Sequence, residues 1–358
     1  MKENSEKSLN ETIENQPKNK KEYRNIPLLG YFDNDGFGFL YRNKFIIFKS
    51  INDIYFLVCI GPNHTSITFY NIIDNKIMSI IHYPHEDFIY NLKYFFYEYR
   101  KMDLIMSIDD NEIKIWNLDL ECVFRITNHG FKVSCFLQNS KELYIIAFFV
   151  TLSNPFLLYN VKKKIKVFDL ERNIIGDLNY VLKDCVILES YFDKNIQKNF
   201  IIFYQKDELT ISFDFNENKI YHKYINDDFA GCNDLAIINL KDKINLIELG
   251  KDQIIRLWDF HSGEFLKIIK LNTLGFKICI WDNESIFIGC NDGIIKLVNL
   301  NEGKIIKEIE NEENKLIGSI EKINIPKYGD CLVTQDYSIF FTLIKLRIFE
   351  NQINEKKV

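Results

Sequence analysis

Short apolar runs recur along the chain, separated by clusters of Asn, Asp and Lys. Phe45-Ile-Ile-Phe48, Ile54-Tyr-Phe-Leu-Val58, Leu143-Tyr-Ile-Ile-Ala147, Phe200-Ile-Ile-Phe-Tyr204 and Ile286-Phe-Ile288 are examples. They are rich in Ile, Phe, Tyr and Val, residues that suit a pleated, half-buried surface. Their length and spacing are those of strands, and no long segment keeps a helical period. The pattern predicts an all-β chain.

A second pattern is laid over the first. An aspartate stands six residues ahead of a fixed strand position in five frames. They run from Asp110 to Trp116, Asp207 to Phe213, Asp252 to Trp258, Asp292 to Val298 and Asp336 to Thr342. Each reads as a turn carboxylate followed by a strand, usually closed by Asp or Asn. The closing positions are Asn71, Asn117, Asp169, Asp214, Asp259, Asn299 and a degenerate Leu343. Their separations are 46, 52, 45, 45, 40 and 44 residues. A strand-only repeat of about 40–45 residues predicts four-stranded propeller blades.

Here the chain resembles the WD-repeat β-propeller family. Leu257-Trp258-Asp259 carries the likeness best, then Ile115-Trp116-Asn117 and Val167-Phe168-Asp169. His85 and His129 stand four residues before an apolar strand residue, where the family has its Gly-His. The resemblance implies an all-β fold: a seven-bladed β-propeller of four-stranded antiparallel blades. It also implies a buried chain of His, Ser or Thr, Trp and the turn Asp. Counted back from the Trp position, the Ser/Thr place falls on Met106, Glu248 and Ile288 in blades two, five and six. No blade shows the complete set, and His85–Asp110–Trp116 comes nearest. His85, Asp110, Trp116, His129, Asp207, Asp252, Trp258, Asp292 and Asp336 are therefore read as architectural. Blade one has His64 at the turn position, and blade three has Lys162 after an insertion.

Domain boundaries follow from composition. Residues 1–22 hold no aromatic residue and one isolated Ile, so a disordered polar tail is expected. Residues 351–358 read as a flexible tail, and 24–350 as a single propeller. Closing the ring needs one more outer strand. Phe37-Gly-Phe-Leu-Tyr41 is the preferred source, with Ile344–Phe349 as the local alternative.

Charge and chemistry narrow the function. The net charge of −5 over 358 residues does not favour nucleic acid. No run of eighteen apolar residues suggests a membrane span. The eight cysteines include no CxxC pair and mostly sit in apolar runs. Buried, reduced thiols in an intracellular protein, cytoplasmic or nuclear, are expected. His64, His82, His222 and His261 form no zinc-binding spacing. Asp33-Asn-Asp35-Gly36 resembles a calcium loop, but Tyr31 and Arg42 stand where acids are required. No phosphate loop, nucleophile elbow or dinucleotide fingerprint appears. No metal, cofactor or catalytic residue is expected.

In the family, partners usually meet the face carrying the turn aspartates. The matching positions are Tyr90, Ser134 and Cys279, with Asp109, Lys206, Lys251, Asn291 and Gln335 beside the turns. Lys162, Lys163 and Lys164 open the densest basic run and add a docking candidate in blade three. Their mixed charge fits a protein or peptide ligand. The expectation is a non-enzymatic WD-repeat scaffold, itself a monomeric propeller, that mediates protein–protein interactions in a multiprotein complex. The alternatives are a propeller associated with RNA or ribonucleoprotein, and a propeller enzyme with a central-channel site.

Overall fold

The computed structural model describes residues 23–31, 45–61, 64–127, 130–139, 141–149, 156–161, 165–169, 185–205, 209–225, 231–240, 243–310, 315–337 and 342–349. Strand β1 (Tyr23–Tyr31) comes first in the chain. Six antiparallel meanders follow, each running from the centre outward. They are β2 (Phe45–Lys49), β3 (Tyr55–Ile60), β4 (Ser66–Asn71) and β5 (Lys76–His82); then β6 (Asn91–Tyr97), β7 (Met102–Ile108), β8 (Glu112–Trp116) and β9 (Cys122–Thr127). The third sheet is β10 (Phe131–Asn139), β11 (Glu142–Phe149), β12 (Phe156–Asn160) and β13 (Ile165–Asp169). The fourth is β14 (Cys185–Asp193), β15 (Lys198–Gln205), β16 (Leu209–Asp214) and β17 (Lys219–Ile225). The fifth is β18 (Cys232–Leu240), β19 (Lys243–Gly250), β20 (Ile254–Asp259) and β21 (Phe265–Lys270). The sixth is β22 (Gly275–Ile280), β23 (Ser285–Cys290), β24 (Ile294–Asn299) and β25 (Lys304–Glu310).

The last sheet is built from both ends of the chain. Strands β26 (Leu316–Ile325), β27 (Gly329–Tyr337) and β28 (Thr342–Phe349) form its inner three positions, and β1 pairs antiparallel with β28 on the outside. The innermost strands β2, β6, β10, β14, β18, β22 and β26 touch in that order, and β26 returns to β2. The molecule is an all-β propeller of four-stranded antiparallel blades.

Hydrophobic pattern decides a strand's place in its blade. The second strands β3 and β23 are buried at every position, because both faces pack against neighbouring blades. Their sequences, Tyr-Phe-Leu-Val-Cys-Ile and Ser-Ile-Phe-Ile-Gly-Cys, are correspondingly apolar. The outermost β25 alternates Lys, Ile and Glu and is largely exposed. Clusters between consecutive blades, such as Ile247, Leu249 and Leu257 with Ile286, Ile288 and Val298, hold the ring together.

In the first, second, fourth, fifth and sixth sheets the closing Asp or Asn caps the turn from third to fourth strand. Asp259 Oδ1 accepts the N–H groups of His261 at 3.0 Å and Ser262 at 2.9 Å. Asn71, Asp214 and Asn299 do the same for their turns. Gly263 completes the Asp259 turn with φ +71°, a left-handed conformation that glycine adopts without steric cost.

Three register expectations need correction. The ring-closing strand is Tyr23–Tyr31, while Ile344–Phe349 lies in the adjacent β28. Phe37–Tyr41 and the proposed tails 1–22 and 351–358 lie outside the described residues. In the third sheet, Val167-Phe168-Asp169 is on the outermost strand, and Asn160 ends the third strand. Val161 N donates to Leu143 O there, as Phe260 N does to Ile244 O in the fifth sheet. The extra residues therefore fall after the third sheet. The basic run Lys162–Lys164 sits between β12 and β13, outside the described residues.

Candidate functional site

The second sheet holds the polar chain that the resemblance implied, one residue away from its expected register. Trp116 Nε1 donates to Ser107 Oγ at 2.7 Å, and Ser107 Oγ lies 2.6 Å from His85 Nε2. His85 Nδ1 then faces Asp109 Oδ2 at 3.4 Å and Glu112 Oε1 at 3.3 Å. The turn carboxylate is Asp109, which accepts N–H from Asn111 and Glu112. Asp110 is exposed beside it, and Asp109, placed earlier among surface candidates, is buried. Burial pushes the Asp109 carboxyl up, but His85 and the two backbone donors hold it below the usual carboxylate range. The expected Met106 gives way to Ser107 because the turn into the third strand is one residue shorter than in the fifth sheet. Ser107 pairs with Lys114, while Glu248 pairs with Arg256. His85, Asp109 and Glu112 bring three potential metal ligands within 4.8 Å of one another. All three are already engaged, His85 with Ser107, Asp109 with the N–H groups of Asn111 and Glu112, and Glu112 with Lys114 and Arg125, so the set reads as a structural network.

The other sheets fill the same positions differently. In the last, Thr334 pairs with Lys345, which places Asp336 at the network aspartate and Arg347 at the tryptophan. Arg347 Nε donates to Thr334 Oγ1 at 3.1 Å, and Asp336 Oδ2 lies 2.9 Å from Lys345 Nζ and 3.4 Å from Arg347 Nη2. Asp336 is therefore a buried strand residue of β27, and Thr342 only begins β28. In the fifth sheet the buried Glu248 and Arg256 form a charged group with the half-buried Asp252, and Thr210 donates to Glu248 at 2.9 Å. Burial raises the Glu248 carboxyl, with Thr210 and Arg256 pulling the other way. Trp258 is buried with its Nε1 unpaired among the described residues. Asp292 is a plain turn cap, accepting from Ile294 N at 3.0 Å.

The expected partner surface is only partly a surface. Lys251 and Asn291 are exposed, and Tyr90 is half-buried with its hydroxyl bonded to Phe131 O. Ser134, Gln335 and Cys279 are buried, and Ser134 Oγ meets Met106 Sδ at 3.3 Å. Alternation explains the failure, since adjacent strand residues point to opposite sides. His129, Lys206, Asp207 and Lys162–Lys164 lie outside the described residues. Seven of the eight cysteines are buried and Cys122 is exposed. Burial pushes the thiols of Cys59 and Cys135 up to about 12.

Two features were not anticipated. The first is the central channel. Lys93, Glu189 and Glu321 occupy equivalent register positions on β6, β14 and β26. Asn91, Asp234 and Lys277 stand one tier earlier on β6, β18 and β22. A bulge at the start of the innermost strand recurs in the third to seventh sheets and re-aims the side chains that follow it. Lys93 reaches past the third sheet to Glu189 Oε1 and Leu188 O, both at 2.9 Å. Lys277 Nζ lies 3.0 Å from Asp234 Oδ1, whose Oδ2 accepts from Ile278 N at 2.8 Å.

These four charges line two cavities: one of about 560 Å³ towards the far ends of the innermost strands, and one of about 40 Å³ towards their starts. Glu321 faces the larger cavity with no ion-pair partner among the described residues. Burial pushes its carboxyl up to about 7; Lys277 pulls it down, and Asp234 and Glu189 push it further up. Burial disfavours the Lys277 ammonium, but Asp234, Glu321 and Glu189 outweigh that and hold it charged.

The second feature is the rim of the first sheet. On the outermost strand β5, Ile77 is 50% exposed, Met78 45% and Ile80 39%, and the nearby Tyr83 and Phe88 are 78% and 55% exposed. No strand pairs with the outer edge of β5 among the described residues. Single exposed apolar residues are ordinary, but five within twelve positions are not. The sequence signal was visible, since Lys76-Ile-Met-Ser-Ile-Ile-His82 is too apolar for a strand with one solvated face.

No helix among the described residues is long and apolar enough to cross a membrane. No protein-family model matches the chain, and no curated protein does either. Solved structures do. A crystal structure of BBS1N in complex with ARL6DN, soaked with mercury, superposes with a TM-score of 0.65 at 8% identity, covering 92% of this chain and 98% of that one. The same complex soaked with lead gives 0.64 at 8% identity, covering 91% and 96%. At this identity the likeness is one of fold: a β-propeller.

Proposed function

We propose that this chain is a non-enzymatic, seven-bladed propeller of the WD-repeat kind that scaffolds partner proteins inside the cell. The observation that carries the reading is the apolar rim of the first sheet. Ile77, Met78, Ile80, Tyr83 and Phe88 leave apolar surface in water beside an unpaired strand edge, and protein partners bury such surface. The likeness to BBS1N, which is described in complex with ARL6DN, supports an interaction role. The WD-repeat assignment rests on the His85–Ser107–Trp116 chain with Asp109 and on the repeat spacing.

Affinity capture from cells with the whole chain, compared with Met78→Glu/Ile80→Glu, tests this. A partner retained in proportion by the unmodified chain and lost by the variant is the expected result. Equal recovery with both chains removes the rim from the proposal. No partner with either chain sinks the scaffold reading. A second reading, chemistry in the channel, is favoured by Glu321, which among the described residues is the channel carboxylate without an ion pair. Against it, the lysines that could act as nucleophiles, Lys93 and Lys277, are each held by a carboxylate.

A further inference from the structure

The channel charges are not all paired. Three lysines, Lys93, Lys277 and Lys322, and three carboxylates, Glu189, Asp234 and Glu321, line the larger cavity. Lys322 Nζ is taken up by Asp330 at 2.8 Å and by Trp281 O, Glu189 and Asp234 each have a lysine within ion-pair distance, and Glu321 has none among the described residues. Beyond Glu321 the larger cavity is walled by apolar side chains, among them Ile46, Leu246 and Ile280, and by the ring of Tyr191. A second acceptor waits on the other side of the charged belt. Asn91 is 7% exposed and lines the smaller cavity, and its Oδ1 has no hydrogen-bond partner among the described residues. A buried acceptor without a donor carries a desolvation cost that a ligand donor would remove.

We propose that the channel binds an organic cation, an alkylammonium or guanidinium on an apolar stem, with Glu321 as its counter-ion. The chemistry selects this class. An anion would meet three carboxylates and three lysines that are already paired. A small hydrated metal ion would gain nothing from the apolar wall, whereas an alkyl stem buries against it. The cavity of about 560 Å³ holds a side chain or a small amine with room for water. A free amine and a lysine or arginine side chain of a partner polypeptide offer the same group.

The site is sensitive to pH in a defined direction. The groups facing Glu321 are Lys277 on β22, Asp234 on β18 and Glu189 on β14, with Lys93 on β6 bound to Glu189. Its carboxyl, raised to about 7, is mostly neutral at pH 6 and mostly ionised at pH 8. A bound cation favours the ionised form, so affinity rises between these values and a proton is released on binding.

Calorimetric titration of the full chain with pentylammonium, and separately with a capped Gly-Lys-Gly peptide, tests the proposal. Binding of at least one probe is expected, about tenfold tighter at pH 8 than at pH 6, with a matching loss of roughly tenfold or more in Glu321→Gln at pH 8. Glu302→Gln, which alters only an exposed pair with Lys304, should change nothing. Preference for pentylammonium marks a free amine as the ligand, and preference for the peptide marks a partner's side chain. No binding of either probe overturns the proposal. Equal binding by the unmodified chain and Glu321→Gln, or equal binding of 1-pentanol, does so too. Circular dichroism of Glu321→Gln separates a lost site from a lost fold.

Discussion

The second and last sheets place polar groups at the same four positions and solve the burial problem in opposite ways. In the second sheet a neutral hydroxyl, Ser107, links His85 to Trp116, and one carboxylate, Asp109, orients the imidazole. In the last sheet Thr334 keeps the hydroxyl, but Arg347 replaces the indole and Lys345 joins Asp336. Arg347 is fully buried, as is Asp336. Both blades hold a polar cluster between second and third strands, and the charge of that cluster differs between them. A neutral chain loses roughly one hydrogen bond per deletion. A charged cluster leaves an uncompensated ion, which is far more costly.

That contrast can be broken at several points. The largest effect is expected from Asp336→Ala, which strands two buried cations and should cost about 3–5 kcal/mol in urea unfolding. Replacing all three charges together, as Asp336→Leu/Lys345→Met/Arg347→Leu, should cost less than the single change; a larger cost would show that the charges themselves stabilise the blade. Ser107→Ala removes the partner of both Trp116 and His85 and should cost about 1–3 kcal/mol by the same measurement.

Glu321→Gln carries the comparison to a carboxylate with no ion-pair partner among the described residues, and its effect depends on pH. The folded-state value of about 7 lies above the usual value of 4.5, so the folded state holds the extra proton between them. Stability therefore falls as pH rises through this window, and the variant should unfold later than the unmodified chain at pH 8, by on the order of 1–3 kcal/mol, and equally at pH 4. The smallest effect compares two tryptophans. Trp116→Phe should cost about 1 kcal/mol more than Trp258→Phe, because only Trp116 Nε1 has an acceptor. Equal losses would mean that ring packing alone sets both values.

The repeat spacing made the propeller legible, because an apolar run and a closing Asp or Asn recur wherever a blade must turn. It failed where turn length varies. Counting back a fixed number from Trp116 lands on Met106, whereas the strand pairing selects Ser107. In the last sheet Thr334 and Lys345 pair across a longer connection, so the fixed frame from Asp336 stopped at Thr342 and missed Arg347. Val167-Phe168-Asp169 imitated a third strand because an apolar-apolar-Asp triplet is short enough to end either of the two outer strands. The channel charges were illegible for a different reason. Lys93, Glu189, Asp234, Lys277 and Glu321 are spread over more than 200 positions and share no motif. Only the ring brings them together.

One pairing has a consequence for the making of the molecule. Tyr23 is opposite Phe349 in β1 and β28, and among the described residues no two strand partners are further apart along the chain. A chain emerging from the ribosome exposes β1 long before β28 exists to receive it, and the last sheet stays open until β28 is free. Closing a loop of this length is slow and entropically disfavoured relative to the local meanders. A strand made early, β1, is thus housed late. The seam it closes is the place where the finished ring would first reopen under mechanical load or a protease.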